Sequence, residues 1–364
     1  MKKSLVALAV LAATGAYAQS SVTLYGRMDA GITRDSGGIG PAGSVTRVDS
    51  GIAGGTRLGF RGVEDLGGGL KANFVAETGF CGDSNAGAPN FCTGGNNFMG
   101  REARVGLSGD FGAVDIGRQY TPAFGVLNAL DPFGTGTAGQ IVNLFDSTGG
   151  YAVAGANSAN PRMNNTIKFT SPNFGGFSGS VGYGFGEVAG NATASRSVGF
   201  NVQYSNGPIY AALAYHVAKG PVAAVQDERK NVLFGGTYDF GVAKAHFAYG
   251  TTRNSVAQGV IVTPPTTTSN INNGDGRNVM LGVSAPLGSG RLMASYIRHD
   301  DRGVNNFDAD QIGIGYSYAL SKRTSLYTAY ARINNKNNSF YTVNNAGNNG
   351  IGNSAFNLGV AHTF

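Results

Sequence analysis

The sequence predicts an all-β protein, a sixteen-stranded antiparallel transmembrane β-barrel with short periplasmic turns, long external loops and a third loop folded into the pore. Three observations predict it: an export signal at the start, a regular alternation of tight turns with longer polar stretches, and a final strand that ends on Phe364. A terminal aromatic strand residue is typical of a closed barrel, because the last strand pairs with the first and aromatic residues lie at the membrane interface.

Residues 1–18 have the organisation of a secretory signal peptide. A basic start, Met1-Lys2-Lys3, precedes an apolar run, and Ala16-Tyr17-Ala18 matches the small-x-small cleavage pattern. We expect cleavage after Ala18, which leaves residues 19–364 as the barrel domain; the alternative is an N-terminal core helix. No later segment approaches the ~20 apolar residues of a membrane helix. An exported chain of this kind is soluble in the periplasm, secreted, or a β-barrel.

The composition favours the barrel. Charged residues make up 13% of the 364 residues, whereas about a quarter is typical of a soluble domain. The 59 Gly residues are dispersed, and 21 Phe with 16 Tyr argue against disorder. The net charge of +6 is modest and no dense Lys/Arg run is present, so we expect no nucleic-acid partner.

Tight turns and long polar stretches alternate along the chain and give the strand count. Seven tight turns are rich in Gly, Pro, Asn, Asp or Ser, at 64–69, 108–112, 171–176, 205–208, 239–241, 286–290 and 319–322. Eight longer polar stretches lie near 34–50, 79–100, 119–161, 187–196, 217–230, 251–277, 298–309 and 332–354. These connections imply about sixteen strands with the short turns at one rim. A soluble β-propeller or sandwich is the alternative.

No catalytic or metal-binding constellation stands out. The four His residues are scattered over different strands or strand ends, and no nucleophile elbow or phosphate-binding loop has the required spacing. We therefore predict no enzyme and no cofactor. Cys81 and Cys92 lie in one polar stretch of an exported chain, which favours a disulfide over a metal site.

The long stretch 119–161 is the obvious candidate to narrow the lumen. It contains too many apolar residues for a loop in water, and folding inward against the barrel wall would bury them. Its only acidic residues are Asp131 and Asp146.

Four arginines are predicted at mid-height in the barrel by their distance from the nearest short turn, at about 3.3 Å per residue. Strand alternation points Arg27, Arg57 and Arg162 inward. Arg101 shares parity with outward residues, and Arg104 has the opposite parity but lies lower. For each arginine the alternative is a contact with a lipid headgroup or the rim.

Together these arginines would form a positive face opposite Asp131 or Asp146. The resulting transverse field predicts a preference for anions.

Several segments resemble the general trimeric porins of Gram-negative bacteria, especially those of beta-proteobacteria. They are Ser21-Val-Thr-Leu-Tyr-Gly26, the stretch 56–71 that begins Thr56-Arg-Leu-Gly-Phe, Arg101-Glu-Ala-Arg-Val-Gly-Leu107, Gly117-Arg-Gln-Tyr120 and the C-terminal Phe364. The resemblance covers the mature chain. It implies a homotrimer, a third loop in the pore and a basic constriction formed by Arg57, Arg101 and Arg162, with Arg27 at a position that is often basic. It thereby favours Arg101 over Arg104.

The resemblance also gives expectations about assembly. The second loop of the family latches onto a neighbouring subunit, so we expect the Cys81–Cys92 disulfide to stiffen the latch and Asp83 to approach Arg118 of the next subunit. Phe364 would be recognised by the barrel-assembly machinery. Outer-membrane lipid and lipopolysaccharide, together with small anions and hydrophilic solutes, are the remaining expected partners.

The function expected from these features is passive diffusion of small hydrophilic solutes and ions through a water-filled channel in the outer membrane, with a preference for anions. A solute-selective porin for phosphate or organic acids is one alternative. An outer-membrane enzyme or adhesin is another.

Overall fold

A computed structural model describes residues 20–38, 43–83, 98–145, 161–220, 228–253, 275–303, 306–337, 339–347 and 350–364. The predicted signal peptide, Cys92 and Asp146 lie outside these residues. Within them, no helix is long and apolar enough to cross a membrane.

In the described residues, seventeen antiparallel strands form one sheet. The first nine are β1 (Ser21–Gly38), β2 (Ser44–Ser50), β3 (Arg57–Gly67), β4 (Leu70–Gly79), β5 (Glu102–Gly109), β6 (Gly112–Tyr120), β7 (Arg162–Thr170), β8 (Phe177–Gly184) and β9 (Ser197–Asn206). The remainder are β10 (Ile209–Lys219), β11 (Glu228–Asp239), β12 (Lys244–Arg253), β13 (Gly276–Leu287), β14 (Gly290–Asp301), β15 (Ala309–Ala319), β16 (Thr324–Asn335) and β17 (Gly352–Thr363).

The wall nevertheless has sixteen positions, as predicted, because β2 and β3 are two parts of one interrupted wall strand. The external half of β1 pairs with β2 and its periplasmic half pairs with β3. On its other edge β1 pairs with β17 over most of its length, which closes the barrel. The short segment 51–56 interrupts the wall strand. The third loop contacts this segment, since the Thr137 amide donates to the Ile52 carbonyl oxygen (2.7 Å).

The prediction of a long loop over 34–50 was wrong for most of that range, since β1 continues to Gly38 and β2 begins at Ser44. Cross-strand ion pairs hold this polar extension together, with Arg47 donating to Asp35 (2.5 Å) and to Asp49 (2.7 Å). Apolar alternation does not reveal a ladder that is stabilised in this way. The seven predicted tight turns all connect consecutive strands, and their positions are confirmed.

Outward and inward residues alternate along the wall. Large apolar side chains face outward and remain exposed, as Leu281 and Val283 on β13 and Leu326 and Tyr330 on β16 show. Residues that alternate with them, such as Met280 and Ala329, are buried inside the barrel. This apolar outer surface is what a lipid-facing wall requires.

The third loop folds into the barrel. Its helix α1 spans Pro122–Leu130, and Thr121 is the N-cap. The Thr121 hydroxyl accepts a hydrogen bond from the Phe124 amide (3.1 Å). A short 3-10 helix (Ile141–Asn143) follows. Val126, Leu127 and Leu130 of α1 are fully buried between the loop and the wall. The apolar residues that predicted an inward loop are therefore the ones that attach it.

Small residues on the inner wall make room for this loop. A Cβ added at Gly235 would lie 2.8 Å from a methyl carbon of Leu130, and one at Gly313 would lie 2.9 Å from the Gly139 Cα. Buried alanines from several strands complete the contact surface: Ala212, Ala214, Ala248, Ala329, Ala331 and Ala355. Much of the glycine content of the strands thus has a packing reason.

Phe364 lies against the first strand. Its amide and carbonyl exchange backbone hydrogen bonds with Gly26 (3.2 and 3.1 Å), and its ring occupies the space where a Gly26 side chain would be. The predicted position, beside β1 near Tyr25, is the one observed.

Candidate functional site

Three of the four predicted arginines meet on the lumen side of β3, β5 and β7. Arg57 is the first residue of β3 and Arg162 the first of β7, while Arg101 immediately precedes β5. Glu77 and Tyr120 connect them. Glu77 accepts from Arg101 Nε (2.6 Å) and pairs with Arg57 Nε (3.4 Å).

Tyr120 holds the other end of this cluster. Its hydroxyl oxygen accepts hydrogen bonds from Arg101 Nη2 (2.7 Å) and Arg162 Nη2 (2.5 Å). The Arg162 guanidinium also lies 4.3 Å from the centre of the Tyr120 ring, and the Phe124 ring of the third loop stacks on Tyr120 at 4.8 Å. Both arginines are therefore held in fixed positions beside the start of the third loop. We call Arg57, Arg101, Arg162, Glu77 and Tyr120 the arginine cluster.

Arg101 reaches the lumen although strand alternation assigned it outward parity. β5 begins only at Glu102, and the chain turns at residues 98–101, so strict alternation does not extend to Arg101. Its amide donates to the Glu77 carbonyl oxygen (3.1 Å). Arg104 lies lower and pairs with Asp115 (2.5 Å), so it does not join the cluster.

Arg27 lies directly opposite Arg57 in the pairing of β1 with β3. It does not bond to Glu77; it pairs with Asp29 at 2.9 Å. Asp29 is itself buried and accepts from the Tyr327 hydroxyl (2.6 Å) and the Ala53 amide (3.0 Å). The two facing guanidiniums thus pair with different carboxylates, Arg27 with Asp29 and Arg57 with Glu77.

Asp131 does not face the arginines, and the expectation of an acidic group across the lumen from them fails at this residue. Its side chain is 5% exposed and accepts backbone amides of its own loop, Phe133 (3.0 Å), Thr135 (2.8 Å) and Ile141 (3.0 Å). Burial raises the pKa of the Asp131 carboxyl to about 6, while the three amide donors act in the opposite direction. Asp131 organises the turn after α1, a role for which aspartate is well suited.

The described part of the third loop presents no charge to the lumen. Among residues 121–145 the exposed positions are Gly125, Asn128, Ala129 and Gly134. Asp146, the second predicted acid, lies outside the described residues. The electrostatic asymmetry of the described lumen at this height therefore comes from the wall. The arginine cluster has three guanidiniums and one carboxylate, Glu77, which pairs with Arg57 and Arg101.

Sequence reasoning missed Glu77 and Tyr120. The arguments from height and strand parity considered only basic residues. Glu77 lies on β4, between β3, which begins at Arg57, and β5, which follows Arg101. The same height argument applied to acidic and tyrosine residues would have found both.

Of the two residues predicted at a subunit interface, Arg118 lies on the outward face of its strand. Arg118 pairs with Ala103, shares the outward face with Ile116, and donates to the Gly100 carbonyl oxygen (2.6 Å) and to Asn164. Asp83 is exposed at the start of the second loop. Because Cys92 lies outside the described residues, the disulfide stays a prediction.

Comparisons with known proteins find relatives over most of the chain. A family of Gram-negative porins matches residues 4–338. Outer membrane porin protein 32 of Delftia acidovorans is 37% identical over 349 residues, which cover 92% of this chain and 90% of the relative. An outer membrane porin protein of Bordetella pertussis is 33% identical over 418 residues, which cover 100% of both chains.

Solved structures give the same architecture. An anion-selective porin from Comamonas acidovorans superposes with a TM-score of 0.75 at 33% identity, covering 95% of this chain and 100% of that one. OmpF of Salmonella typhi superposes with a TM-score of 0.68 at 17% identity, covering 94% of this chain and 97% of that one. At this identity the match shows only that the fold is the same.

Proposed function

The chain belongs to the Gram-negative porin family and is an outer-membrane porin, and from that premise we propose that the arginine cluster gives its channel a preference for anions. Small hydrophilic solutes and ions diffuse passively through the lumen, and Arg57, Arg101 and Arg162, with Arg27 beside them, line its narrowest part.

The observation that carries this proposal is the imbalance of charge in the cluster. The cluster holds three guanidiniums and one carboxylate: Glu77 pairs with Arg57 and Arg101, and Arg162 bonds to the Tyr120 hydroxyl. The described part of the third loop adds only uncharged exposed residues. An ion that leaves bulk water for this narrow region gains from a positive potential only if it is an anion. The similar protein from Comamonas acidovorans is an anion-selective porin, which supports a preference for anions here.

Arg57 is the member of the cluster best placed to meet a solute. Its side chain is 30% exposed, against 8% for Arg101. We assign Arg57 the direct contact with a passing anion. Arg101, held by Glu77 and Tyr120, contributes mainly its field.

The assembly is proposed to be a homotrimer, as in porins of similar fold. In this arrangement Asp83 of one subunit approaches the outward Arg118 of the next, and the Cys81–Cys92 disulfide stiffens the second loop. Phe364 serves recognition by the barrel-assembly machinery, and outer-membrane lipid with lipopolysaccharide surrounds the wall.

Planar bilayers test the proposed function. Purified protein should produce stepwise conductance increments, and a tenfold KCl gradient should give a zero-current potential with the sign of an anion-preferring pore. Conductance steps with a cation-type potential would overturn the anion preference and leave the channel intact. An outer-membrane enzyme or adhesin would produce no steps.

A further inference from the structure

Tyr25 lies on the lumen face of the wall, directly opposite Gly59 in the pairing of β1 with β3. A Cβ added at Gly59 would overlap the Tyr25 ring and lie 2.7 Å from its hydroxyl oxygen, so the ring lies across Gly59, against the backbone of the wall. The Tyr25 hydroxyl donates to Oε2 of Glu77 (3.0 Å). The tyrosine is therefore fixed at its hydroxyl end, while its side chain remains partly exposed to the lumen.

Two arginines flank this ring along β3. Arg57, Gly59 and Arg61 occupy alternate positions of the strand. Phe60 faces outward, so these three residues face the lumen. Because Tyr25 lies opposite Gly59, each arginine is two residues away along the strand, about 7 Å. The Arg61 guanidinium lies 5.2 Å from the centre of the Tyr25 ring. We call Tyr25, Arg57, Gly59 and Arg61 the Tyr25 platform.

Both arginines of the platform retain donors for an anion. The Arg61 side chain is exposed; its guanidinium contacts the Tyr25 ring and forms no ion pair within the described residues. Arg57 is 30% exposed, and Glu77 approaches only its Nε (3.4 Å). An anion in the lumen can therefore pair with either guanidinium without first breaking a close ion pair.

The neighbouring carboxylates are matched by other cations. Glu102 lies opposite Glu77 and pairs with Arg104 at 3.2 Å. Asp65, nearer the short turn, lies opposite Lys71. The positive charge of the platform therefore persists, and a negatively charged solute that passes it meets two guanidiniums and one aromatic ring.

This combination of surfaces distinguishes between anions. A small inorganic ion can use only the guanidinium groups, whereas the Tyr25 ring offers a planar apolar surface on which a second aromatic ring can stack. A carboxylate accepts two parallel hydrogen bonds from the forked donors of a guanidinium. The arginines lie close enough to the ring for one small molecule to make both contacts.

We propose that the Tyr25 platform binds planar aromatic carboxylates, with the ring of the solute stacked on Tyr25 and its carboxylate paired with Arg57 or Arg61. The platform extends from the arginine cluster toward the short turns and receives anions that the cluster attracts. The inference rests on the proposed function and gives it a substrate class. Among anions of equal charge, those with an aromatic ring are retained longer in the lumen.

Block of the single-channel KCl current tests the proposal on the intact porin in planar bilayers. The probes are benzoate and cyclohexanecarboxylate, which carry the same charge on a planar aromatic ring and on a puckered saturated ring. We expect the half-blocking concentration of benzoate to be at least about threefold lower, as one aromatic contact would give. Equal half-blocking concentrations of the two anions would overturn the proposal.

Benzamide tests the need for the carboxylate, because it keeps the planar ring and lacks the charge. We expect it to block at least about tenfold more weakly than benzoate, since it forms no charge-assisted pair with a guanidinium. Equal block by benzamide and benzoate would contradict the pairing with Arg57 or Arg61.

Two substitutions of Tyr25 separate its ring from its hydroxyl. Tyr25→Leu removes the aromatic surface, and we expect benzoate and cyclohexanecarboxylate to block this variant equally. Tyr25→Phe is the matched control, since it keeps the ring and loses only the hydrogen bond to Glu77; the preference for benzoate should persist. Retention of the preference in Tyr25→Leu would contradict stacking on Tyr25, and its loss in both variants would assign the effect to Glu77 instead. If Tyr25→Leu does not assemble, the probes on wild-type protein still decide the question.

Arg61→Gln tests the charge below the cluster. We expect the half-blocking concentration of benzoate to rise about threefold. Lys71→Gln is the matched control, because Lys71 is an exposed cation that shares the strand parity of Glu77 and lies nearer the short turn. Equal increases in the two variants would indicate a general loss of positive potential and contradict a local site at Arg61.

The zero-current potential of wild-type protein in a KCl gradient tests the proposed function separately. An anion-type potential without a preference for benzoate would overturn the Tyr25 platform as a binding site and leave the anion preference in place. A cation-type potential would overturn the proposed function itself. The two failures are thus distinguishable.

Discussion

Arg101 donates from Nε to Oε1 of Glu77 over 2.6 Å, and both side chains are almost fully buried on the lumen side. Arg57 approaches the other oxygen of the same carboxylate at 3.4 Å. Glu77 therefore has two effects: it positions two guanidiniums and it cancels part of their charge.

Glu77→Gln should raise the preference for anions, because it removes the single carboxylate of the arginine cluster while keeping a hydrogen-bond acceptor. We expect the anion-to-cation permeability ratio to increase by about twofold or more, which corresponds to about 0.4 kcal/mol. The zero-current potential in a KCl gradient measures this ratio. Asp115→Asn is the matched control, since Asp115 pairs with Arg104 lower in the barrel. A larger change in the control than in Glu77→Gln would argue against the cluster as the selective region.

Asp131→Asn should loosen the third loop and leave ion selectivity nearly unchanged. Asp131 accepts three backbone amides, and an amide side chain has one acceptor oxygen where the carboxylate has two. We expect unfolding in denaturant to become easier by about 1–3 kcal/mol, with noisier single-channel currents. A pronounced shift of the zero-current potential with an unaltered loop would instead restore Asp131 as a charge that faces the pore.

Gly313→Val should displace the third loop from the wall. The new side chain would meet the Gly139 backbone, which lies 2.9 Å from the position of the added Cβ. The expected cost is about 1–3 kcal/mol in denaturant unfolding, together with an altered conductance. Gly125→Ala is the control: Gly125 lies in α1 with open space around it, so alanine should be neutral or stabilising by about 0.4–1 kcal/mol. Wild-type conductance in Gly313→Val would refute the close packing.

Phe364→Ala should reduce the yield of assembled protein more than it changes the conducting channel. The ring covers Gly26 at the seam between β1 and β17, and its removal exposes that seam. The fraction of heat-modifiable, folded porin in isolated outer membranes measures assembly. Phe356→Ala, on the outward face of β17, is the control. Equal yields of both variants would indicate that Phe364 acts only as one more aromatic of the wall.

Much of this molecule could be predicted from local chemistry. The tight turns and the alternation of residues gave the strand count, and the apolar residues of the third loop gave its inward fold. The broken wall strand could not be predicted, because ion pairs such as Arg47 with Asp35 replace apolar alternation there. Neither could the orientation of Asp131, since its amide partners are fixed only once the turn after α1 has formed.

The positions of the arginines could be predicted only in part. Distance from a turn brought Arg57, Arg101 and Arg162 to one height, but the turn at residues 98–101 decides where Arg101 points. The contacts that connect the three side chains run through Glu77 and Tyr120. No quoted motif contains Glu77, and the motif that ends at Tyr120 gives that residue no role. Parity and height locate a strand residue; they do not identify its partners.

We propose that the arginine cluster sets the preference for anions. The most direct test is the zero-current potential of a variant that carries Arg57→Gln, Arg101→Gln and Arg162→Gln, measured beside wild-type protein in a tenfold KCl gradient. We expect stepwise conductance to persist and the potential to move close to zero or to the cation side. Retention of the wild-type, anion-type potential by this variant would contradict a selective role for the arginine cluster.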